Sequence, residues 1–189
     1  MADEELDRRV RKTKAQMRKA FTALLLEKPM QSISVTDLTR LADVNRGTFY
    51  SHYRDIYDLA QQLENEMFEE FLKLMDSYPN AALRVGLQPI LRDVFRFINK
   101  NADMGLVLLE GDNAFLQRFK EAVNLRVMQE WGELYGLGRA ENGAYCMSFL
   151  VEGCVGMLRA WVKSGRRESP EKMAVLAEQL IVHGVEHWN

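Results

Sequence analysis

The stretch SVTDLTRLADVNRGTFYSHYRDIYD, from Ser34 to Asp58, decides the fold of this 189-residue chain. Ser34 stands three residues before Asp37 at the start of an apolar helical pattern, which resembles a capping box. Asp43 ends that pattern, and aspartate tolerates the left-handed backbone that a tight turn needs. Asn45 is suited to cap a second short helix. The stretch therefore predicts two short helices joined by a tight turn, as in a helix-turn-helix.

The second short helix, predicted over Arg46 to Tyr53, has two different faces. At about 100° per residue, Phe49 and Tyr53 lie together and point to the core. The opposite face carries small or hydrogen-bonding side chains, which suit close contact with a polar groove. The candidate DNA contacts in this segment are Asn45, Arg46, Gly47, Thr48, Tyr50, Ser51 and His52.

Base reading and phosphate binding call for different side chains. Arg46 is the candidate base reader, because a guanidinium bonds guanine O6 and N7 together. Thr48 and Ser51 can meet a base edge or a thymine methyl group, and Gly47 lets the backbone approach. The alternative is an ordinary helical hairpin with a polar outer face.

Phosphate contacts are predicted on both sides of this face. Tyr50 and His52 can donate hydrogen bonds to phosphate oxygens. The N-terminus of the preceding helix, with Thr36, offers a further phosphate site through its backbone N–H groups.

Charge is unevenly distributed along the chain. The formal net charge is −2, yet residues 8–57 hold 11 lysines and arginines against four aspartates and glutamates. A basic segment joined to an acidic body suits a DNA-binding module on a regulatory domain, because neutralised phosphates supply much of the affinity. A solvated basic surface is the alternative explanation.

Apolar spacing predicts helices through the rest of the chain. A first helix runs from about Val10 to Glu27 and ends before Lys28-Pro29, and a fourth runs from Asp55 to about Ser77. Further helices are expected at roughly 86–100, 103–110, 113–135, 141–164 and 170–188. The fold class is therefore all-α, with a three-helix DNA-binding domain at 1–56 and a larger helical domain at 57–189.

No signal peptide and no membrane span are expected. The most apolar segment, near Phe149 to Trp161, is interrupted by Glu152 and Arg159, short of the roughly 20 apolar residues that cross a bilayer. Cys146 and Cys154 are expected to be reduced thiols in a cytoplasmic protein, with a redox sensor as the alternative.

The run VNRGTFYSHY at residues 44–53, with Val35-Thr36-Asp37-Leu38 before it, resembles the DNA-binding domain of TetR-family transcriptional regulators. The resemblance covers about residues 10–60. It implies an all-helical homodimer with an N-terminal DNA-binding domain and a larger, divergent domain for ligand binding and dimerisation. It also implies that the recognition-helix contacts are Arg46, Gly47, Thr48, Tyr50, Ser51 and His52.

The chain departs from the family pattern at two positions. Asp43 stands where the family usually has glycine, which the tolerance of aspartate for the left-handed conformation accommodates. Ile56 stands where a lysine usually contacts phosphate, and Arg54 is a candidate substitute.

A second resemblance lies in the C-terminal half. Residues 149–161, with Gly165 and Ser169-Pro170-Glu171, are similar to a TetR subgroup that includes the dihydroxyacetone-kinase regulator-like proteins. The resemblance implies a homodimer through the last two helices, where Gly153 and Gly156 permit close approach. The apolar face expected there consists of Val175, Leu176, Leu180, Ile181 and Val185. Packing within one chain is the alternative for this face.

A ligand pocket is expected in the larger domain. Its candidate residues are aromatic and methionine side chains with one carboxylate, namely Phe71, Met75, Phe95, Met104, Leu108, Phe115, Phe119, Tyr145, Phe149 and Glu152. Ordinary core packing is the alternative for the apolar residues. Glu152 needs a partner, which is either a cation of this chain or a ligand.

No catalytic, cofactor or metal site is predicted. His183 and His187 stand four apart, but two histidines without a further ligand do not make a metal site, and the glycines at 136–143 lack the spacing of a nucleotide loop. The sequence predicts a repressor that a small-molecule effector, not identified by the sequence, releases from a pseudo-palindromic double-stranded DNA operator. The alternative is an activator or co-regulator of the same fold controlled by a protein partner.

Overall fold

The computed structural model describes residues 2–78, 86–109, 114–134 and 142–185. Every regular element in these ranges is helical, which confirms the all-α fold class. The elements are α1 (Ala2–Glu27), a 3-10 turn (Met30–Ser32), α2 (Val35–Ala42), α3 (Arg46–Tyr50), α4 (Ile56–Asp76), α5 (Gln88–Lys100), α6 (Ala102–Leu109), α7 (Ala114–Leu134), α8 (Gly143–Lys163) and α9 (Pro170–Val185). The helix α1 begins eight residues earlier than its apolar pattern predicts.

The chain forms two compact units, Met1–Met67 (unit 1) and Phe68–Asn189 (unit 2). The division falls inside α4, whose first residue is Ile56. The domain limits 1–56 and 57–189 stay a prediction, because a compact unit is not by itself a domain that folds alone.

Unit 1 is held together by a small apolar core. The helix α2 packs against both α1 and α3. The fully buried side chains of the unit include Met17, Phe21, Leu38, Phe49 and Leu59. The apolar residues of α2 predict one buried face formed by Val35, Leu38, Leu41 and Ala42. This is wrong for Leu41, which is 54% exposed. Thr39 is buried in its place, because its hydroxyl donates to the Val35 carbonyl oxygen at 2.8 Å and so needs no solvent.

Both ends of α2 are fixed by side-chain and backbone chemistry that the sequence predicts. Ser34 Oγ accepts the Asp37 N–H at 3.0 Å, and Lys28 Nζ lies 2.8 Å from Asp37 Oδ2. The bond from Lys28, followed by that from Ser34, lowers the pKa of Asp37 to about 2. At the other end Asp43 adopts φ 53° and ψ 47°, the left-handed conformation expected of it. The turn into α3 therefore uses aspartate without glycine.

Unit 2 contains two groups of packed helices. The helix α5 packs extensively along α9, while α6 and α7 pack against α8. Glu178 of α9 ties the first pair together, because its Oε1 accepts the backbone N–H groups of Leu87 at 2.9 Å and Gln88 at 3.0 Å. These are two of the N–H groups that the start of α5 leaves without helical partners.

The helix α8 corrects the expectation that no segment has the dimensions of a membrane span. Its 21 residues are long and apolar enough by length and composition alone. Core helices pass the same test, and the α8 side chains of Met147, Val151, Val155 and Leu158 are buried within unit 2.

The left-handed turn gives a test of the fold. Asp43→Ala should lower the free energy of unfolding by about 1 kcal/mol, because a plain L-residue is strained in this conformation. Asp43→Gly should stay within about 0.5 kcal/mol of the wild type, since glycine removes the strain but gains freedom in the unfolded chain. Urea unfolding followed by circular dichroism measures both. An alanine variant as stable as the wild type would show that the turn does not impose this conformation.

Candidate nucleic-acid interface

The helix α3 is shorter than its sequence pattern predicts. It ends at Tyr50 instead of Tyr53, and Ser51 and His52 form a turn. Ser51 Oγ donates to the Thr48 carbonyl oxygen at 2.8 Å, a local bond that competes with helix continuation. The Tyr53 N–H still bonds to the Phe49 carbonyl oxygen at 2.9 Å. Because this bond keeps Tyr53 close to Phe49, the two side chains still lie together as predicted.

Phe49 and Tyr53 anchor α3 in the core of unit 1, as their helical spacing predicts. Their side chains are 0% and 2% exposed, and their ring centroids lie 5.7 Å apart. Burial, helped by the nearby charges of Glu66 and Asp58, raises the pKa of Tyr53 to about 12. The direction of the shift agrees with a phenol that is buried in the core.

The opposite side of α3 and its turn is open to solvent. Five of the seven candidate contacts in this segment are exposed and two, Thr48 and His52, are half-buried; the exposed ones are Asn45, Arg46, Gly47, Tyr50 and Ser51. We call these seven residues the α3 face. Thr36 and Arg54 are also exposed.

Two contacts within the α3 face restrict its longer side chains. Arg46 Nη2 donates to Tyr50 Oη at 3.4 Å, and the Arg46 guanidinium lies 6.0 Å from the Tyr50 ring centroid. Such a cation–π contact adds about 0.5–1 kcal/mol at an exposed site. The contact is weak enough that Arg46 can exchange it for another acceptor.

Asn45 has a structural role in addition to its position on the face. Its Oδ1 accepts the Thr48 N–H at 2.7 Å and the Thr48 hydroxyl at 3.0 Å. The side-chain oxygen of Asn45 therefore caps α3, and its amide nitrogen is the side-chain group with donors to offer to another molecule.

Ile56 and Arg54, the candidate substitute for the phosphate contact expected at position 56, lie in different environments. Ile56 is 5% exposed and belongs to the core. Arg54 is exposed, but its Nη2 pairs with Asp58 Oδ1 at 3.2 Å and its backbone N–H bonds to Asp58 Oδ2 at 2.8 Å. The bond from the Arg54 N–H, followed by that from its guanidinium, lowers the pKa of Asp58. Any phosphate bound by Arg54 has to compete with this carboxylate.

Additional positive charge comes from α1. Four basic side chains near its start are exposed, namely Arg8, Arg9, Arg11 and Lys12. The sequence shows their charge but does not assign them contacts, because periodicity alone does not place the start of α1 relative to α3.

The pocket candidates of unit 2 fall into three groups. A cavity of about 120 Å³ is lined by Phe71, Met75 and Phe119 together with other apolar residues of α4, α5, α7, α8 and α9. Phe95, Met104 and Phe115 are buried in the core, outside the set of lining residues. Phe95, for example, packs edge-on against Trp161 with a centroid distance of 5.3 Å.

The third group corrects the predicted pocket. Tyr145 and Phe149 are 76% and 77% exposed, because they lie on the side of α8 that faces away from its buried residues. Glu152 is also exposed, and its partner is Lys120, with Nζ 2.6 Å from Oε1. The side chain of Leu108 lies outside the described part of the chain.

Two lining residues of the cavity carry distinctive chemistry. Cys154 has its pKa raised to about 11 by burial, which disfavours the thiolate needed for redox sensing. The pocket predicted from the sequence does not include Arg126. This cation stands on the same stripe of α7 as Phe119 and Val123, at a position where an apolar residue is expected. His187 and residues 136–141 lie outside the described ranges.

An apolar face remains open on the last two helices. Tyr145 and Phe149 of α8 and Val175, Leu176 and Leu180 of α9 are exposed. Among the residues that the structure describes, none lies within 4 Å of where a Cβ atom at Gly153 or Gly156 would stand. Of the face predicted for α9, Ile181 is buried instead, because it lines the cavity, and the side chain of Val185 lies outside the described part.

Comparison with known sequences gives a family match over half of the chain and one partial match to a curated relative. A TetR C-terminal family profile, described as "Transcriptional regulator C-terminal region", matches residues 86–183. An uncharacterized HTH-type transcriptional regulator of Bacillus subtilis (strain 168), YxbF, is 37% identical over 62 residues, or 32% of this chain. The matched segment is 16% of that curated relative's length.

Solved structures share the fold over almost the whole chain. A TetR transcriptional regulator from Streptococcus agalactiae is 24% identical and superposes with a TM-score of 0.60, covering 95% of this chain and 98% of that one. The dihydroxyacetone kinase operon activator DhaS is 17% identical with a TM-score of 0.58, covering 92% of this chain and 96% of that one.

The cap on α3 gives a test that needs no DNA. Asn45→Ala removes the acceptor of the Thr48 N–H and should lower the free energy of unfolding by about 1 kcal/mol. Asn45→Asp keeps an acceptor and should stay close to the wild type. Chemical unfolding of the three proteins measures the difference, and an alanine variant with unchanged stability would contradict the capping role.

Proposed function

The chain belongs to the TetR family of transcriptional regulators, and we propose that it is a repressor whose homodimer binds a pseudo-palindromic operator and leaves it when a small molecule binds unit 2. Blocking access to a promoter is the simplest way in which such a bound dimer acts. A ligand changes DNA binding only if its affinities for the DNA-competent and incompetent states differ.

The α3 face is the observation that carries this proposal. Phe49 and Tyr53 fix α3 in the core, while Arg46 is exposed on the opposite side. We propose that Arg46 reads a guanine, that Thr48 and Ser51 meet neighbouring base edges, and that the Gly47 backbone approaches the groove.

Phosphate contacts are proposed around this centre. Tyr50 and His52 donate to the backbone of the duplex, and Asn45 adds its amide nitrogen. Thr36 and Arg54 extend the contacts on either side. The exposed cations at the start of α1 add electrostatic attraction that depends on salt concentration.

Dimerisation is proposed through the exposed apolar face of α8 and α9. Phe149, Leu176 and Leu180 are large apolar side chains left open to solvent, and contiguous apolar patches of this kind mark interaction sites. Gly153 and Gly156 lie on the same exposed side of α8, where the absence of a side chain lets a second helix approach closely. A two-fold dimer binds a two-fold site with half-sites about one helical turn apart, roughly 34–36 Å, or a multiple of this distance.

The cavity favours a small-molecule effector over control by a protein partner alone. A space of about 120 Å³ with an almost entirely apolar lining is a feature of a ligand site. The same fold is used by a protein described as an operon activator, so activation is the second candidate. A cytoplasmic location follows from the proposed DNA partner.

Base reading by Arg46 is tested by selection from a pool of random DNA duplexes. Arg46→Ala should weaken binding by about 1–3 kcal/mol and relax the preference at one base pair of each half-site. Arg54→Ala is the matched comparison, because loss of a phosphate contact should weaken all sequences evenly and reduce the salt dependence. If Arg46→Ala kept the wild-type preference at every base pair, the base-reading role would be excluded.

The proposed dimer interface is tested by adding a side chain at Gly156, a position with open space around it in the single chain. Gly156→Leu should leave the fold intact, because the position is open and leucine favours helix over glycine. It should weaken the dimer at least about tenfold if a second helix packs closely there. Glu69→Leu places the same side chain at an exposed position of α4 and should leave the dimer unchanged. Sedimentation at micromolar concentration decides, and a monomeric wild type would refute the proposal.

A further inference from the structure

The wall of the cavity in unit 2 presents no hydrogen-bonding group to its interior. Among the residues that the structure describes, those that line the cavity expose carbon and sulfur but no polar atom to it. Its wall is formed by five helices, with Phe71 of α4, Phe119 of α7 and Leu158 of α8 among the lining residues. A ligand inside therefore finds apolar contacts and no partner for a charge or a hydroxyl group.

Arg126 is the lining residue that carries a charge, and its printed donors are directed to the end of α4. Its Nη1 donates to Asp76 Oδ1 at 3.2 Å, and its Nη2 donates to the carbonyl oxygen of Tyr78. The Asp76 side chain is 76% exposed, so this ion pair lies toward solvent. Because no polar atom faces the cavity, Arg126 contributes carbon atoms of its stem to the wall.

Backbone groups of the lining are also engaged where helices begin and end, the places at which such groups lack helical partners. Leu87 precedes α5, and its N–H donates to Glu178 Oε1 at 2.9 Å. Met75 lies near the end of α4, and its carbonyl oxygen accepts the Tyr78 N–H at 3.2 Å. A water molecule needs roughly two to four polar partners to occupy a cavity. A cavity with this wall therefore favours an apolar occupant over water.

The size of the cavity limits its occupant. Protein interiors contain few voids larger than a water molecule, and the cost of an empty cavity rises with its volume. The volume here is about 120 Å³, close to that of an engineered apolar cavity of roughly 150 Å³ that stays dry and binds benzene. A molecule of about the size of benzene or toluene therefore restores the contacts that the empty space lacks.

From these observations we propose that the cavity binds an uncharged apolar molecule of about the size of a single six-membered ring, and that it discriminates against ligands that carry a charge or a hydroxyl group. This assignment names the class of effector and so rests on the regulatory function proposed above. Size and the absence of polar atoms select the ligand, because the wall offers no directional contact.

The first test compares ligands that share a ring and differ in polarity. Toluene, phenol and benzoate are titrated into the full chain, with dissociation constants taken from NMR shifts of methyl groups. Toluene should bind about tenfold or more tightly than phenol, because the phenol hydroxyl leaves water without gaining a partner. Benzoate should bind more weakly still. Phenol or benzoate binding as tightly as toluene would overturn the assignment.

A variant that fills the cavity shows where toluene binds. Val123 is half-buried in the lining, so Val123→Phe should place its ring in the open space and weaken toluene binding at least about tenfold. Leu125→Phe is the matched control, because Leu125 is on the same helix but is 64% exposed and outside the lining. It should bind toluene as the wild type does. Wild-type affinity in a folded Val123→Phe variant would overturn the assignment.

A variant that enlarges the cavity provides an independent check. Leu158 is 3% exposed and lines the cavity, so Leu158→Ala should create space for a longer ligand. Its affinity for propylbenzene, relative to toluene, should rise at least about fivefold over that of the wild type. An unchanged ratio would show that this cavity does not select the ligand by size.

Binding of selected DNA fragments is measured separately, with and without toluene. A protein that binds no DNA but prefers toluene to phenol would refute the regulatory function and leave the ligand class standing. A protein that binds DNA but does not distinguish toluene from phenol would refute the ligand class alone.

Discussion

The anchoring of α3 by Phe49 and Tyr53 is the constraint on which the proposed DNA interface depends. Five residues form a single helical turn, and so short a helix has little stability of its own in water. Burial of the two aromatic side chains and the cap from Asn45 supply what the helix lacks. Because the aromatic side is fixed in the core, Arg46 and its neighbours have to face solvent.

Features that depend on neighbours in sequence could be predicted well. The caps at Ser34 and Asn45 and the left-handed turn at Asp43 follow from side chains that act within three residues of their own position. The end of α3 could not be predicted in this way. Periodicity predicts a helix that reaches Tyr53. The Ser51 hydroxyl instead donates to the Thr48 carbonyl oxygen, and the helix ends at Tyr50.

Features that depend on packing between distant helices were predicted less well. Composition places nine apolar residues and Glu152 in one pocket, yet the fold distributes the described ones among a cavity, the core and an exposed face. Composition does not distinguish these environments. The position of Tyr145, Phe149, Gly153 and Gly156 on one side of α8 is the pattern that indicates an interface instead of a pocket.

Arg126 shows how a departure from an apolar pattern carries information. A single cation on the stripe formed by Phe119 and Val123 has to be explained by a partner, and the structure supplies Asp76 and the Tyr78 carbonyl oxygen. Glu152 raises the same question in the sequence, but its partner Lys120 lies in the same chain and away from the cavity lining.

We propose above that a symmetric dimer reads DNA through two copies of the α3 face. Selection of genomic fragments by the full-length protein tests it most directly, because the bound sequences show both specificity and symmetry. We expect one enriched motif with two inverted half-sites, their centres separated by about one helical turn or a multiple of it. Recovery of fragments without a common motif, or of a motif with a single half-site, would contradict it.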